Sequence, residues 1–183
     1  MACLKAGDRV SYTVIFLEMA HRPSHPAPPL PIGINAALIG AKRPPVGYFL
    51  YLYGAVGAPY EWTDWLARDL KEQTAFVHDP KVEFFTCMVD GWPGGFFMLD
   101  TREKGICDLA YFGLVPEAAG RGLGPWLLSQ AIHMAWDRHN VAKVTVNTCT
   151  LDHPRAIGLY QRLGFTPVRR EERSRVLTRP REV

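Results

Sequence analysis

A glycine-rich turn is the segment of this chain whose residues most clearly suggest chemistry. It reads Ala119-Gly120-Arg121-Gly122-Leu123-Gly124-Pro125 and connects an apolar, strand-like run to the start of a predicted helix. Glycines leave backbone N–H groups uncovered by side chains, and the helix dipole adds partial positive charge at the first turn. The segment therefore predicts an anion site suited to a pyrophosphate, although a purely structural turn could have the same sequence. It is not a P-loop, because no Gly-Lys-Ser or Gly-Lys-Thr follows.

A second segment lies downstream and places a tyrosine on a helix. It runs from His153 to Phe165 and reads HPRAIGLYQRLGF. Apolar residues recur at helical spacing through Leu159 and Tyr160, and Gly164 stands where a left-handed residue would end the helix. A tyrosine on this apolar face can be a core aromatic, and its hydroxyl, if buried, needs a hydrogen-bond partner.

Together the two segments resemble the GNAT family of N-acetyltransferases. In that family the pyrophosphate loop reads Gln/Arg-x-x-Gly-x-Gly/Ala, and the later motif reads Asn-x-x-Ala-x-x-Leu-Tyr-x-x-x-Gly-Phe. This chain matches both motifs except at their first positions, where Ala119 replaces Gln or Arg and His153 replaces Asn. The two motifs in this order, with a helix and a strand between them, are more specific than either alone. The best-matched part of the chain is 82–168.

The resemblance implies acetyl-CoA as co-substrate and no metal ion. The strands Ile106–Val115 and Val144–Cys149 would splay apart and admit the pantetheine arm, whose amides would pair with backbone groups near Leu114 and Val115. Ala119 would cost one side-chain contact and leave the backbone cradle in place. The implied cofactor-binding residues are Leu114, Val115, Ala119, Gly120, Arg121, Gly122, Leu123, Gly124, Pro125, Asn147 and His153.

The resemblance also implies which groups carry the reaction. In this family the tyrosine of the Leu-Tyr pair protonates the departing thiolate, and here that residue is Tyr160. The incoming ammonium must lose a proton before it can attack the thioester. Asp108 matches by its spacing the carboxylate that serves as base in histone-acetylating members. The expected reaction is direct transfer of an acetyl group to a primary amine, whose identity the sequence does not give.

Several alternatives stay open at this point. The domain could hold acyl-CoA as a ligand or sensor without turning it over, or it could transfer a longer acyl group. Asp108 could be a solvent-facing strand residue. Cys149 and His153 are spaced as a thiol and its base could be, but nothing else supports a thiol nucleophile. A group of aromatic residues is either core or the wall of a pocket for a cationic amine: Tyr48, Tyr51, Tyr53, Tyr60, Trp62 and Trp65.

The elements around these segments predict one α+β domain over residues 1–183. Strands are expected at Val10–Ala20, Val82–Val89, Gly95–Leu99, Ile106–Val115, Val144–Cys149 and from Thr166 onward, with a surface connection at Pro23–Pro31. Two helices are expected between Val46 and Lys71, a third from Pro125 to about Asn140, and a fourth N-capped by Asp152. The expected fold is a three-layer α/β/α arrangement with a mixed, mostly antiparallel sheet. The resemblance makes this a GNAT-like acyl-CoA N-acyltransferase fold, opened into a V where the pantetheine enters.

The composition narrows the class of protein. A net charge of +3 over 183 residues is too small to indicate a nucleic-acid-binding surface, and the arginines after residue 168 alternate with glutamates as in a solvated strand and tail. No stretch approaches the roughly twenty apolar residues of a membrane span. The four cysteines form no CxxC pair and the histidines show no metal spacing. We therefore expect a cytoplasmic protein with reduced thiols and no metal; a homodimer stays open.

Overall fold

The computed structural model describes residues 3–182, which form a seven-stranded sheet with helices on both faces. The strands are β1 (Cys3–Leu4), β2 (Arg9–Met19), β3 (Ala36–Ala41), β4 (Val82–Val89), β5 (Trp92–Asp100), β6 (Ile106–Leu114), β7 (Lys143–Cys149), β8 (Thr166–Val176) and β9 (Arg181–Glu182). The helices are α1 (Val46–Gly57), α2 (Leu70–Val77), α3 (Leu123–Trp136) and α4 (Ala156–Arg162). The sheet order is β3-β4-β5-β6-β7-β2-β8, and β1 pairs with β9 in a separate ribbon. The expected mixed, mostly antiparallel α+β fold is confirmed.

Alternation along the central strand β5 explains why helices cover both faces. Phe96 and Met98 pack with α1 and α2, while Phe97 and Leu99 pack with α3 and α4. All four side chains are completely buried. Because successive residues of a strand point to opposite faces, an uninterrupted apolar run such as this requires a core on each side.

The sheet opens between β6 and β7. These two strands are parallel and pair over only three residues, ending at Asp108 opposite Thr145. Beyond that point β6 pairs only with β5, so the edge of residues 109–114 that faces β7 has no strand partner. The register with β5 also shifts at Ala110, which lies unpaired between Leu109 and Tyr111. A bulge of this kind bends the strand and releases backbone groups from the ladder.

Each predicted strand is present in the structure, but several begin or end at a different residue from the one predicted. The β4–β5 turn is the two residues Asp90 and Gly91, both at positive φ, so β5 begins at Trp92 and not at Gly95. β6 ends at Leu114, one residue before the expected end. β3 was missed, because its short Ala- and Gly-containing sequence has a weak strand signal.

Of the two helices expected between Val46 and Lys71, the second lies further along the chain, because α2 begins only at Leu70. The other helices differ mainly at their ends. α3 begins at Leu123, so Pro125 lies within the first turn, where its missing N–H breaks no helical bond. α3 ends at Trp136, and Asn140 lies at positive φ in the following turn. The expected N-cap role of Asp152 was wrong, since the N-cap of α4 is Arg155. Gly164 does adopt the left-handed conformation expected after α4.

The C-terminal segment braces the connection between α1 and α2. Glu61 is 1% exposed and accepts hydrogen bonds from the backbone N–H and the hydroxyl of Thr178. Arg181 donates to the carbonyls of Leu151 and Pro59. Arg175 donates to the hydroxyl of Thr63. Arg175 and Arg181 are therefore not part of the solvated strand and tail that the sequence predicted. No helix in residues 3–182 is long and apolar enough to span a membrane.

Candidate active site

A cavity of about 440 Å³ lies where β6 and β7 diverge and passes between the two halves of the sheet. On one side it is lined by residues of α4 and of the glycine-rich loop, and on the other by Val56 of α1 with Tyr60 and Trp62 of the α1–α2 connection. Residues 109–114 of β6 and 146–148 of β7 form its walls. We call this space the central cavity. Its lining residues therefore come from elements on both faces of the sheet.

The glycine-rich loop presents a row of free amides to the central cavity. Ala118 and Ala119 donate their N–H groups to Val115 and Pro116, but within the described chain none of the five amides from Gly120 to Gly124 has an acceptor. Gly120 and Gly122 both lie at φ +78, and a Cβ added at either position or at Gly124 would meet no atom within 4 Å. Successive free N–H groups at the start of a 14-residue helix form an anion site of the kind that binds phosphates.

Six further residues of the implied cofactor set lie at this cavity or in the core beside it. Leu114, Ala119, Pro125, Asn147 and His153 line it. His153 Nδ1 accepts a hydrogen bond from the N–H of Arg155, so it caps the turn into α4. Leu123 is completely buried in the core, which leaves only its backbone N–H for a ligand.

Two residues of that set are placed differently from the expectation. Val115 does not line the cavity; its N–H donates to Gly94, its carbonyl accepts from Ala118, and its side chain is 4% exposed. Both of its backbone groups are therefore occupied within the protein. The side chain of Arg121 forms an ion pair of 2.9 Å with Asp90 in the β4–β5 turn. Arg121 thus anchors the loop to the neighbouring hairpin.

Tyr160 projects from α4 into the central cavity. It is 6% exposed and packs edge-on against Phe112 and Phe165. Burial raises the pKa of its hydroxyl, and the negative charges of Asp152 and Asp108 raise it further. The hydroxyl has no hydrogen-bond partner among residues 3–182. A neutral phenol with an uncommitted proton at the wall of a cavity is suited to act as a proton donor.

Asp108 lies in a second cavity, of about 680 Å³, on the other side of the β6–β7 junction. Its carboxylate accepts a 2.6 Å hydrogen bond from Thr145. Burial raises its pKa to about 6, and the nearby charges of Asp100 and Glu103 act in the same direction against the Thr145 bond. Val146 and Asn147 line both cavities, so the two spaces adjoin at β7. The structure does not bring Asp108 into the same cavity as Tyr160.

Asp152 is a carboxylate in the central cavity that sequence reasoning did not assign to the site. Oδ1 accepts from the indole N–H of Trp62, and Oδ2 accepts from the hydroxyl of Thr148 and the N–H of Cys149. In the sequence, an aspartate shortly before a proline is the ordinary pattern of a helix N-cap, so Asp152 was interpreted as a cap and not as a cavity residue. The bond to Trp62 could not have been found without the fold.

Arg155 and Arg162 are further residues of the cavity that the sequence did not single out. Both are exposed and lie on α4 or just before it, on either side of the Leu159-Tyr160 pair. Their charges add to the positive potential of the glycine-rich loop at the same cavity.

The thiol alternative receives no support from the geometry. His153 uses Nδ1 to cap the turn and makes no hydrogen bond with Cys149 in the described chain. Burial raises the pKa of Cys149 to about 11, so its thiol stays protonated at neutral pH.

The aromatic residues between α1 and α2 divide between core and cavity. Tyr53 and Trp65 are buried with Phe49, while Tyr51 is 58% exposed. Only Tyr60 and Trp62 of this group line the central cavity.

Comparison with known proteins identifies the architecture. The family described as Acetyltransferase (GNAT) family matches residues 48–165, from α1 through the end of the Tyr160 motif. This chain belongs to the GNAT family. GNAT proteins are acyltransferases, and both sequence motifs lie within the matched range. No curated protein matches the sequence.

Solved GNAT structures share the fold at low sequence identity. A GCN5-related N-acetyltransferase from Sphaerobacter thermophilus is 18% identical, with a TM-score of 0.62, over 94% of this chain and 52% of that one. A tandem GNAT protein from the clavulanic acid biosynthesis pathway is 19% identical, with a TM-score of 0.60, over 93% and 55%. A GCN5-related N-acetyltransferase from Kribbella flavida is 16% identical, with a TM-score of 0.55, over 90% and 57%. The present GNAT chain thus spans little more than half the length of these proteins.

Proposed function

We propose that this GNAT domain transfers the acetyl group of acetyl-CoA directly to a primary amine. The observation that carries the proposal is that Gly120, Gly122 and Gly124, whose amides are free, and Tyr160, whose hydroxyl is uncommitted, line one cavity. The first feature suits a pyrophosphate, and the second suits protonation of a thiolate. Both line a cavity whose walls include the unpaired edge of β6.

The residues present fit coenzyme A. The free amides of the loop would bind the pyrophosphate, and Arg155 and Arg162 would add charge for the phosphates. The unpaired edge of β6, including Leu114, would pair with the pantetheine amides as an added strand does. The open space above Gly122 and Gly124 is the space that the phosphate oxygens require.

The chemistry requires one bond to form and one to break. The acceptor nitrogen loses two protons, one from the ammonium before attack and one after the C–N bond forms, while the thiolate gains one proton and one is released to solvent. The amine attacks the thioester carbonyl carbon, a C–N bond forms, and the C–S bond breaks. Tyr160 supplies the proton that the departing thiolate takes up. Backbone groups released at the Ala110 bulge lie on the cavity wall, where they can polarise the thioester carbonyl.

Asp108 is the proposed acceptor of the proton that the ammonium loses. A carboxylate with a pKa of about 6 is mostly ionised at neutral pH, and it is a stronger base than an ordinary aspartate. Because its cavity adjoins the central cavity only along Val146 and Asn147, the proton would travel through water.

The experiment is a panel of primary amines mixed with acetyl-CoA and the protein, read as free thiol released. Acetyl transfer predicts thiol release that depends on both the protein and a particular amine. The competing function is an acyl-CoA-binding or sensing domain, which the departures at Ala119 and His153 favour. That function predicts tight acetyl-CoA binding and no amine-dependent release.

A further inference from the structure

We propose that Asp152, Trp62 and Tyr60 form a subsite that binds the acceptor through its positive charge, so that the enzyme selects cationic amines. The inference rests on the proposed function only in taking the ligand to be the acceptor. The subsite itself is a half-buried carboxylate that is hydrogen-bonded to Trp62, with the ring of Tyr60 lining the same cavity. Tyr60 and Trp62 come from the α1–α2 connection, and Asp152 comes from the loop that follows β7.

The position of the Asp152 carboxylate is fixed by three hydrogen bonds. Trp62 Nε1 donates to Oδ1 at 3.1 Å, Thr148 Oγ1 donates to Oδ2 at 2.8 Å, and the N–H of Cys149 donates to Oδ2 at 2.9 Å. A carboxylate can accept about four hydrogen bonds, so Oδ1 retains a free lone pair. An ammonium at that lone pair would make a charge-assisted hydrogen bond without displacing an existing partner.

The charge of Asp152 is not neutralised by an ion pair. No lysine, arginine or histidine nitrogen of residues 3–182 lies within 4.0 Å of it, whereas nine other ion pairs occur in that part of the chain. Arg181 donates to the carbonyls of Leu151 and Pro59 instead, and Arg155 and Arg162, which also line the cavity, form no ion pair with Asp152. The carboxylate also helps to raise the pKa of Tyr60, after the larger effect of burial and against the charge of Arg181. The carboxylate is therefore held by hydrogen bonds but keeps a charge that a bound cation could pair with.

The two aromatic rings suit the remainder of a cationic ligand. Tyr60 and Trp62 are half-buried, and Trp62 packs against Tyr53 and Tyr111. Aromatic faces attract ammonium groups by about 0.5–2 kcal/mol. The buried bond of Glu61 to Thr178 holds the intervening residue, so both rings are presented by a fixed segment and not by a free loop.

Binding to the subsite is tested without acetyl-CoA, so that no reaction occurs. The ligands are benzylammonium chloride as the cation and benzyl alcohol as its uncharged counterpart. The dissociation constant of each is measured by ligand-observed NMR titration, with and without coenzyme A. We expect the wild-type protein to bind benzylammonium at least about tenfold more tightly, as a charge-assisted hydrogen bond supplies. Asp152→Asn keeps the size of the side chain and should abolish that preference.

A matched control is Asp79→Asn, which removes the charge of another half-buried aspartate that accepts a backbone N–H. Asp79 lines neither cavity, so this variant should retain the preference for the cation. Trp62→Leu removes the ring and the N–H donor together and should weaken benzylammonium more than benzyl alcohol. It provides the same test if Asp152→Asn does not fold.

Two results would overturn the proposal. One is a wild-type protein that shows no preference for benzylammonium over benzyl alcohol. The other is an Asp152→Asn protein that binds coenzyme A normally and keeps the wild-type preference, which would leave Asp152 with a purely structural role. Neither readout needs turnover, so a protein that binds the cation but never releases thiol would refute the acetyl-transfer function and leave this subsite standing.

Discussion

The indole N–H of Trp62 donates to Oδ1 of Asp152 over 3.1 Å, joining the α1–α2 connection to the loop that follows β7. The two residues are far apart in sequence and belong to opposite sides of the opening in the sheet. Their bond fixes the side of the central cavity that faces α1, while the glycine-rich loop and α4 form the other side. Under the proposed function, coenzyme A would bind at the glycine-rich loop and α4, and the acceptor would bind at Trp62 and Asp152.

Filling the space above the glycine-rich loop should weaken coenzyme A binding. Gly124→Val places a branched side chain on the cavity wall, at the second residue of α3, where no positive φ strains the backbone. We expect a loss of at least about tenfold in affinity by calorimetric titration, because displacing the phosphate forfeits a charge-assisted hydrogen bond. Gly47→Val is the matched control at the second residue of α1, also in open space and outside the central cavity. Equal affinity in both variants would place the phosphate elsewhere.

Removing the hydroxyl of Tyr160 should slow turnover without unfolding the protein. Tyr160→Phe keeps the ring and its contacts with Phe112 and Phe165. Loss of a general acid predicts a decrease in kcat of about 10² to 10⁴, with coenzyme A affinity and melting temperature little changed. Tyr12→Phe, on β2 and outside the central cavity, should have no such effect. Full activity in Tyr160→Phe would leave Tyr160 as a core aromatic.

The proposed base makes the rate depend on pH near the pKa of Asp108. The ionised carboxylate is the active form, so kcat/KM should rise with pH up to about 6 and then level off. Asp108→Asn should lower the rate at neutral pH and remove this acid limb. Higher pH should partly restore the rate by deprotonating the amine in solution. A variant with unchanged rate and acid limb would rule Asp108 out as the base.

The same raised pKa predicts an effect on stability. In the unfolded chain Asp108 titrates near 3.8, and in the folded protein near 6, so the folded state binds more protons between these values. The contribution of Asp108 to stability is therefore present below about pH 4 and is lost as pH rises through 6. The free energy of unfolding of Asp108→Asn relative to wild type should increase from pH 4 to pH 7, measured by urea denaturation. A difference that does not change over this range would contradict the raised pKa.

Local patterns predicted much of the fold and the glycine-rich loop that lines the central cavity. Alternation and turn residues predicted β2 and the hairpin, and the spacing of Leu159, Tyr160 and Gly164 predicted α4. The glycine-rich loop was found because its signal is contiguous. β3 was missed because a short edge strand carries little pattern of its own.

The residues that sequence could not assign depend on contacts between distant segments. Asp152 was interpreted as a helix cap because Trp62, its partner, lies in another part of the chain. Asp108 was assigned by spacing along one strand, and spacing does not reveal that the β6–β7 ladder ends at this residue and separates it from the central cavity. The interior position of Glu61 follows from a bond to Thr178 that no local pattern predicts.

The most direct test of the central claim is a single-turnover experiment with isotopically labelled acetyl-CoA, excess protein and an amine that supports thiol release. The measurement is the mass of the amine product and of the intact protein. Direct transfer in the central cavity predicts that the label appears on the amine at the rate of thiol release, with no labelled protein at any time. Label that never reaches the amine while acetyl-CoA stays bound, or that first appears on the protein, would contradict the account.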